Sequence, residues 1–317
     1  MGRPYPSIAM DLRQLRYFVH VAHTRSLTAA STKAWITQSA LSRQIKLLEE
    51  ELGVDLFERQ ARGVTLTEAG EVLLGRASML LHLADEIKGA VTAVGEQPTG
   101  PLHIGAPPSL RQMLVAPVVA QYHAQYPKVR LAVHEGTSRS MRDALANGDI
   151  DVAIVSSLEA LDAFDVRPFA SELLCWVGPA EAKLDPSRFT DISRIAARPL
   201  ILTAYPNSLR LIVDRALAKR NLSVEPVMEA DMIAMMFDLI RRGVGYTVLP
   251  YSAVHEPLMQ HYVSASPIRG LRIKWVAAQS RERTSTAAAL RANEMFATVA
   301  NEKISAGEWQ TARREAE

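Results

Sequence analysis

The sequence predicts an α/β protein preceded by a helix-dominated head, on three observations. Apolar residues recur with helical period through most of the first 94 positions. A stretch holding Gly95, Pro98, Gly100 and Pro101 then interrupts that period. Beyond it, short β-rich runs alternate with helical segments, which is the pattern of mainly parallel sheets with helices between the strands. A chain of 317 residues is also too long for one hydrophobic core, so more than one domain is expected.

Taking the elements in order, residues 12–23 place Leu12, Leu15, Phe18, Val19 and Ala22 on one face of an amphipathic helix. Ser26 or Thr28 caps a second helix around Ala29, Ala30 and Lys33, and Thr37 caps a third from Gln38 to Leu52 that stops at Gly53. In that third helix Leu41, Ile45, Leu48 and Leu52 form the apolar stripe. Its other face carries Gln38, Ser39, Ser42, Arg43 and Lys46 in the first half, where a recognition helix meets base edges and phosphates. Two short strands, 56–59 and 63–66, flank a basic turn at Arg62 and read as a wing.

These residue types suit duplex DNA. Gln38 pairs bidentately with adenine, Ser39 and Ser42 approach bases or phosphates, and Arg43 suits guanine or phosphate. Lys46 and Arg59 fit phosphates, which fix register without reading sequence. Arg62 at the wing tip suits a narrow minor groove.

From residue 67 to about 94, Leu73, Ala77, Leu80, Ala84, Ile87 and Val91 alternate spacings of four and three, a seam that pairs two chains along a helix of roughly 42 Å. Paired heads predict a double-stranded operator with an inverted repeat. Strands are expected at 102–105, 129–135, 151–155, 173–177, 200–203, 224–227, 245–249 and 271–278. Helices are expected at 110–126, 140–147, 209–220, 232–241 and 286–301, and the charged segment after Gly307 is expected to fray.

Composition narrows the function. A net charge of +2 rules out a generic polyanion binder, so any nucleic-acid surface must be local. The single cysteine, Cys175, sits in an apolar strand pattern and fits a reducing cytoplasm, and no export signal or run of about 18 apolar residues is visible. The eight histidines form no metal-spaced cluster, and neither a Gly-x-Ser-x-Gly elbow nor a Gly-rich phosphate loop occurs, so an enzyme is disfavoured. A transport-type solute-binding protein is disfavoured by the head and by the missing export signal.

Ser26-Leu27-Thr28-Ala29-Ala30, the run from Ile36 to Ile45 (ITQSALSRQI), the run from Leu48 to Arg59 (LEEELGVDLFER) and Leu66-Thr67-Glu68-Ala69-Gly70 together resemble the LysR-type transcriptional regulators, and the likeness runs from Met10 to about Asn301. The chain departs from the family's usual Gly at Arg25, Ala at Ser31 and Leu at Ala34; Trp35 is expected to fill the space that Ala34 leaves, and Arg25 to add charge near DNA. Family chains commonly begin near Met-Asp-Leu-Arg, here Met10 to Arg13, which marks residues 1–9 as an extension or a misplaced start.

The resemblance implies a winged helix-turn-helix (10–66), a dimerisation helix (67–94), a hinge (95–101), an effector domain (102–301) and a flexible tail (302–317). The effector domain is implied to be two Rossmann-like lobes, as in periplasmic binding proteins: 102–165 with 268–301, and 166–267. Effector is expected at Pro108, Ser109, Thr137, Ser138 and Thr203, beyond the carboxyl ends of strands, with Met232 and Tyr246 at the edge. Helix capping alone is the alternative explanation of Ser109, Ser138 and Ser208. Convergent helix N-termini favour a small carboxylate-like anion. The expected partners are operator DNA, the effector, a second copy as dimer or tetramer, and RNA polymerase, in the cytoplasm, with no cofactor, metal or membrane. Operator binding or bending is implied to respond to the effector.

Overall fold

The computed structural model describes residues 10–60, 63–92, 98–281, 283 and 285–315, and the chain divides into two compact units, the main boundary falling between Val91 and Thr92. Residues 1–9, Arg62 at the expected wing tip, residues 95–97 of the expected hinge and the last two residues lie outside the described residues.

In the first unit α1 (Leu12–Thr24) opens with a capping box between Asp11 and Gln14, and α2 (Leu27–Ala34) starts at Ser26, whose hydroxyl accepts from the Ala29 amide. Thr37 caps α3 (Gln38–Leu52), and Gly53 ends it in the left-handed conformation. Leu41, Ile45 and Leu48 are buried with Leu15, Phe18, Val21 and Ala30, whereas Leu52, at the last turn of α3, is exposed rather than part of the stripe.

The wing strands β1 (Phe57–Gln60) and β2 (Gly63–Leu66) pair antiparallel. Gly63 has φ +137 and abuts the Arg25 carbonyl, which accepts from the Val64 amide; any Cβ at Gly63 would strike that oxygen. Trp35 does not fill the core. It sits left-handed at the end of α2 with φ 55 and is 93% exposed, and Ile36 packs against the core instead.

Thr67 caps α4 (Glu68–Thr92), its hydroxyl accepting from the Gly70 amide. The expected seam needs correcting here. Ala77 is fully buried and Leu73 packs against the same core, so the first half of α4 closes its own unit. Leu80 is exposed together with Val72 and Leu83, Ala84 is half-buried, and the side chains of Ile87 and Val91 lie outside the described residues.

The second unit is built on two long antiparallel strands, β6 (Phe164–Pro179) and β10 (Val263–Ser280). At one end of this ribbon β10 pairs β5 (Val152–Ser156), which is followed in parallel by β3 (Gly100–Ala106) and β4 (Val129–Glu135). At the other end β6 pairs β9 (Thr247–Pro250), and parallel bridges connect Leu200 to Tyr246 and Thr190 to Ile268; β7 (Ile201–Leu202) pairs β8 (Met228–Glu229). The sheet is therefore mixed rather than mainly parallel. Gly100 and Pro101, expected in the hinge, already belong to β3, where they pair Val129 and Arg130.

Helices cover both ends: α5 (Ala116–Gln125), entered through a 3-10 turn and a π turn, α6 (Ser138–Asn147), α7 (Ile192–Ile195), α8 (Ser208–Ala218), α9 (Ile233–Arg241), α10 (Tyr251–Met259) and α11 (Ala287–Ser305). Every residue of β5 is buried, as a strand covered on both faces requires. The expected frayed tail is a second correction. Residues 302–305 complete α11, Trp309 is 1% exposed, and β11 (Arg313–Arg314) pairs β6 at Ser171 and Ala170. One buried indole, with about 200 Å² of apolar ring to hide, outweighs the charge around it.

Candidate nucleic-acid interface and ligand cleft

The amphipathic spacing of α3 leaves its polar ridge facing water. Thr37 Oγ1 accepts from the Ala40 amide at 3.2 Å and lies 3.2 Å from Ser39 Oγ, so the cap also orients Ser39. Gln38, Ser39 and Arg43 are exposed, and Arg43 makes no ion pair among the described residues. Ser42 and Lys46 line the groove between α3 and the wing; Lys46 reaches Glu50 at 3.7 Å, an exposed pair worth only about 0.3–0.5 kcal/mol and readily exchanged for another anion. Arg59 lies on β1 opposite Val64, with its side chain outside the described residues.

A second cationic group was missed from the sequence. Burial lowers the pKa of His20, and Lys33, His23 and Arg16 lower it further, so all four lie close together on α1 and α2. The spacing of Arg16, His20 and His23 at i, i+4 and i+7 is the signal that exposes them.

In the second unit a cavity of about 530 Å³ opens between the two ends of the ribbon. Pro108, Ser109, Thr137, Ser138, Thr203 and Met232 all line it. Tyr246 does not: its ring stacks on Trp176 at 5.1 Å and lies under Arg198, against Gly178, so it is a packing residue.

The hydroxyls divide by partner. Thr137, not Ser138, caps α6 through the Ser140 amide, while Ser138 Oγ accepts from the Ser156 amide at 3.0 Å. Asn207 caps α8, and Ser208 Oγ instead donates to Glu159 at 2.7 Å, pinning one end of the ribbon to the other at the cleft's lip. Ser109 and Thr203 are 4% and 6% exposed, and among the described residues neither hydroxyl has a hydrogen-bond partner. Both hydroxyls open on the cleft, which leaves them available to a ligand.

The start of α9 adds free backbone N–H groups, because Met232 at its cap position supplies no side-chain acceptor. The charged lining is one cation, Arg111, against Glu135, Asp231 and Glu256. Arg210 is no reserve of charge, since it is buried between Asp214 and Glu229 and donates to the Thr203 carbonyl at 3.2 Å.

Two family models match these two units: the bacterial regulatory helix-turn-helix of the lysR family over residues 12–71, and the LysR substrate binding domain over residues 95–300. The chain belongs to the LysR family. The nitrogen assimilation regulatory protein nac of Escherichia coli K12 is 32% identical over 248 residues, 78% of this chain and 80% of that protein. Among solved structures, a full-length cysteine-to-aspartate variant of OxyR from Pseudomonas aeruginosa superposes with TM-score 0.69 at 25% identity, covering 92% of this chain and 95% of that one. CbnR complexed with its target DNA gives TM-score 0.67 at 18% identity over 92% and 99% of the two chains, a likeness of fold.

This LysR-family chain is thus a DNA-binding transcription regulator with an effector-binding domain, in a family of regulators rather than enzymes. Its one cysteine, Cys175, is buried on β6, and burial, with Glu172 beside it, pushes the thiol pKa well up; it is a packing residue and not a reactive thiolate. Among the described residues no cluster of His, Cys, Asp and Glu could hold a metal ion, and no helix is long and apolar enough to cross a membrane.

Proposed function

We propose that this regulator reads an inverted-repeat operator with Thr37, Gln38, Ser39, Ser42, Arg43 and Lys46, assisted by Arg59 and by Arg62 at the wing. The exposed polar ridge of α3 supports that assignment. Pairing of two chains uses the outward apolar residues of α4, Leu80 with Val72 and Leu83, rather than Leu73 and Ala77. Two lobes, residues 102–165 with 268–301 and residues 166–267, meet at the cleft, and RNA polymerase is the partner through which the bound complex acts.

The cleft takes a small effector with one carboxylate. The observation that carries this reading is the pair of unpartnered hydroxyls on the largely buried residues Ser109 and Thr203, which open on a cavity that also holds the uncapped start of α9. Three carboxylates on the wall favour a ligand whose other end donates hydrogen bonds, as an amino acid does. A ligand that prefers one arrangement of the lobes shifts the populations of the assembly and changes how the operator is bent.

The test is a thermal-shift screen of the full chain against small organic acids and amino acids, followed by DNase footprints with and without each hit. A carboxylate that stabilises the protein and alters the footprint is expected. Hits confined to dianions or neutral compounds, or a footprint that no hit changes, would overturn the assignment.

A further inference from the structure

Glu172 lies midway along β6 with no exposed surface, and its carboxylate gathers donors from three distant segments. Oε1 accepts from Trp275 Nε1 at 2.6 Å and from Ser252 Oγ at 2.8 Å. Oε2 accepts from the Ser252 amide at 2.7 Å and from Trp309 Nε1 at 3.0 Å. A carboxylate taken out of water is tolerable only with such a set, and burial still raises its pKa against the pull of the four hydrogen bonds.

The donors have different addresses. Ser252 and Trp275 line the cleft, and Ser252 stands in the first turn of α10, which has no side-chain cap of its own, so Glu172 caps it from another strand. Trp309 comes from the segment after α11. That segment is held on the same side: β11 pairs β6 next to Glu172, the Thr311 carbonyl accepts from Arg272 at 2.9 Å, and Lys274 pairs with Glu315 at 3.3 Å.

We propose that Glu172 is a positioning residue for the cleft, holding Ser252 and Trp275 in place while Trp309 is docked, so that cleft occupancy and docking of residues 307–315 are coupled. The coupling rests on reading the cavity as the effector cleft. Oε2 shares its hold between the cleft wall and the C-terminal segment. Removing the Trp309 donor leaves a buried anion short of one hydrogen bond, and the wall relaxes to find another. By reciprocity, a ligand that moves Ser252 or Trp275 changes the hold on Trp309.

Hydrogen exchange on the full chain tests this in two arms. In Trp309→Phe, which keeps an aromatic ring at the site and loses the indole N–H, amides at 251–256 and 273–276 are expected to exchange about tenfold faster along with 308–314, the size expected for one hydrogen bond to a charged group, while α6 and α8 stay unchanged. In the second arm Thr203→Cys is carboxymethylated with iodoacetate, which plants a carboxylate in the cleft whatever the natural ligand; exchange at 308–314 is expected to change on alkylation.

Acceleration confined to 308–314, acceleration spread evenly over the unit, or indifference of 308–314 to alkylation would each overturn the coupling. Failure of the effector reading shows separately, as a carboxylate screen without hits, and leaves the first arm readable.

Discussion

The two units of this regulator carry their candidate sites in opposite ways. The head presents a single helix whose polar side chains stand in water over a small core, and the second unit hides two hydroxyls in a cavity walled by segments more than a hundred residues apart. In the head, the side chains that hold the fold and those proposed to read DNA are therefore different residues of the same helix. In the cleft, the two hydroxyls open on the cavity and make no hydrogen bond among the described residues, so they hold little of the fold together.

The separation within α3 predicts the largest effect. Leu41→Ala is expected to destabilise the head by roughly 2–5 kcal/mol, because the residue is fully buried, while the second unit melts as before. Two-domain calorimetry distinguishes this from a shift of both transitions, which would show the units to be energetically fused. Arg43→Ala is expected to leave melting unchanged and to weaken operator binding by roughly 1–3 kcal/mol, with discrimination lost at one base position; gel-shift titration against operator variants reads both.

The cleft should behave in the reverse sense. Thr203→Val and Ser109→Ala are expected to change apo stability by less than about 0.5 kcal/mol, since neither hydroxyl has a partner to lose, yet to reduce the shift produced by a carboxylate hit by about 1 kcal/mol each. A large apo effect would mean that these groups are structural.

How much of this is readable in the sequence follows from the range of each interaction. Thr37, Gln38 and Arg43 are legible because one helical period fixes both their cap and their face. Leu73 and Ala77 obey the same period and mislead, since spacing cannot tell a partner's helix from the chain's own core. α10 escapes because Pro257 lies inside it and Pro250 precedes it, which reads locally as a loop. Glu172 with Trp275 and Trp309 is invisible because its partners are 103 and 137 residues away, although a lone Trp in a charged tail is a clue. Tyr246 immediately precedes β9 and turns its ring to Trp176, a choice made by packing alone.

The smallest expected effect concerns His20. Its folded pKa is held below the ordinary imidazole value of 6.5 by burial and then by Lys33, His23 and Arg16. A depressed folded value means that the contribution is present above pH 6.5 and is lost as pH falls through the folded pKa. Melting of the head is expected to drop in that window and to flatten in His20→Gln; an unchanged profile would place the cations farther apart.

Selection of bound sequences from random duplex DNA by the full chain tests the central assignment most directly. The polar ridge of α3, presented twice by paired chains, predicts an inverted repeat with half-sites about one helical turn or a multiple apart, and Arg43→Ala relaxing one base in each half. No enrichment, or a single unrepeated motif that Arg43→Ala leaves intact, would contradict it.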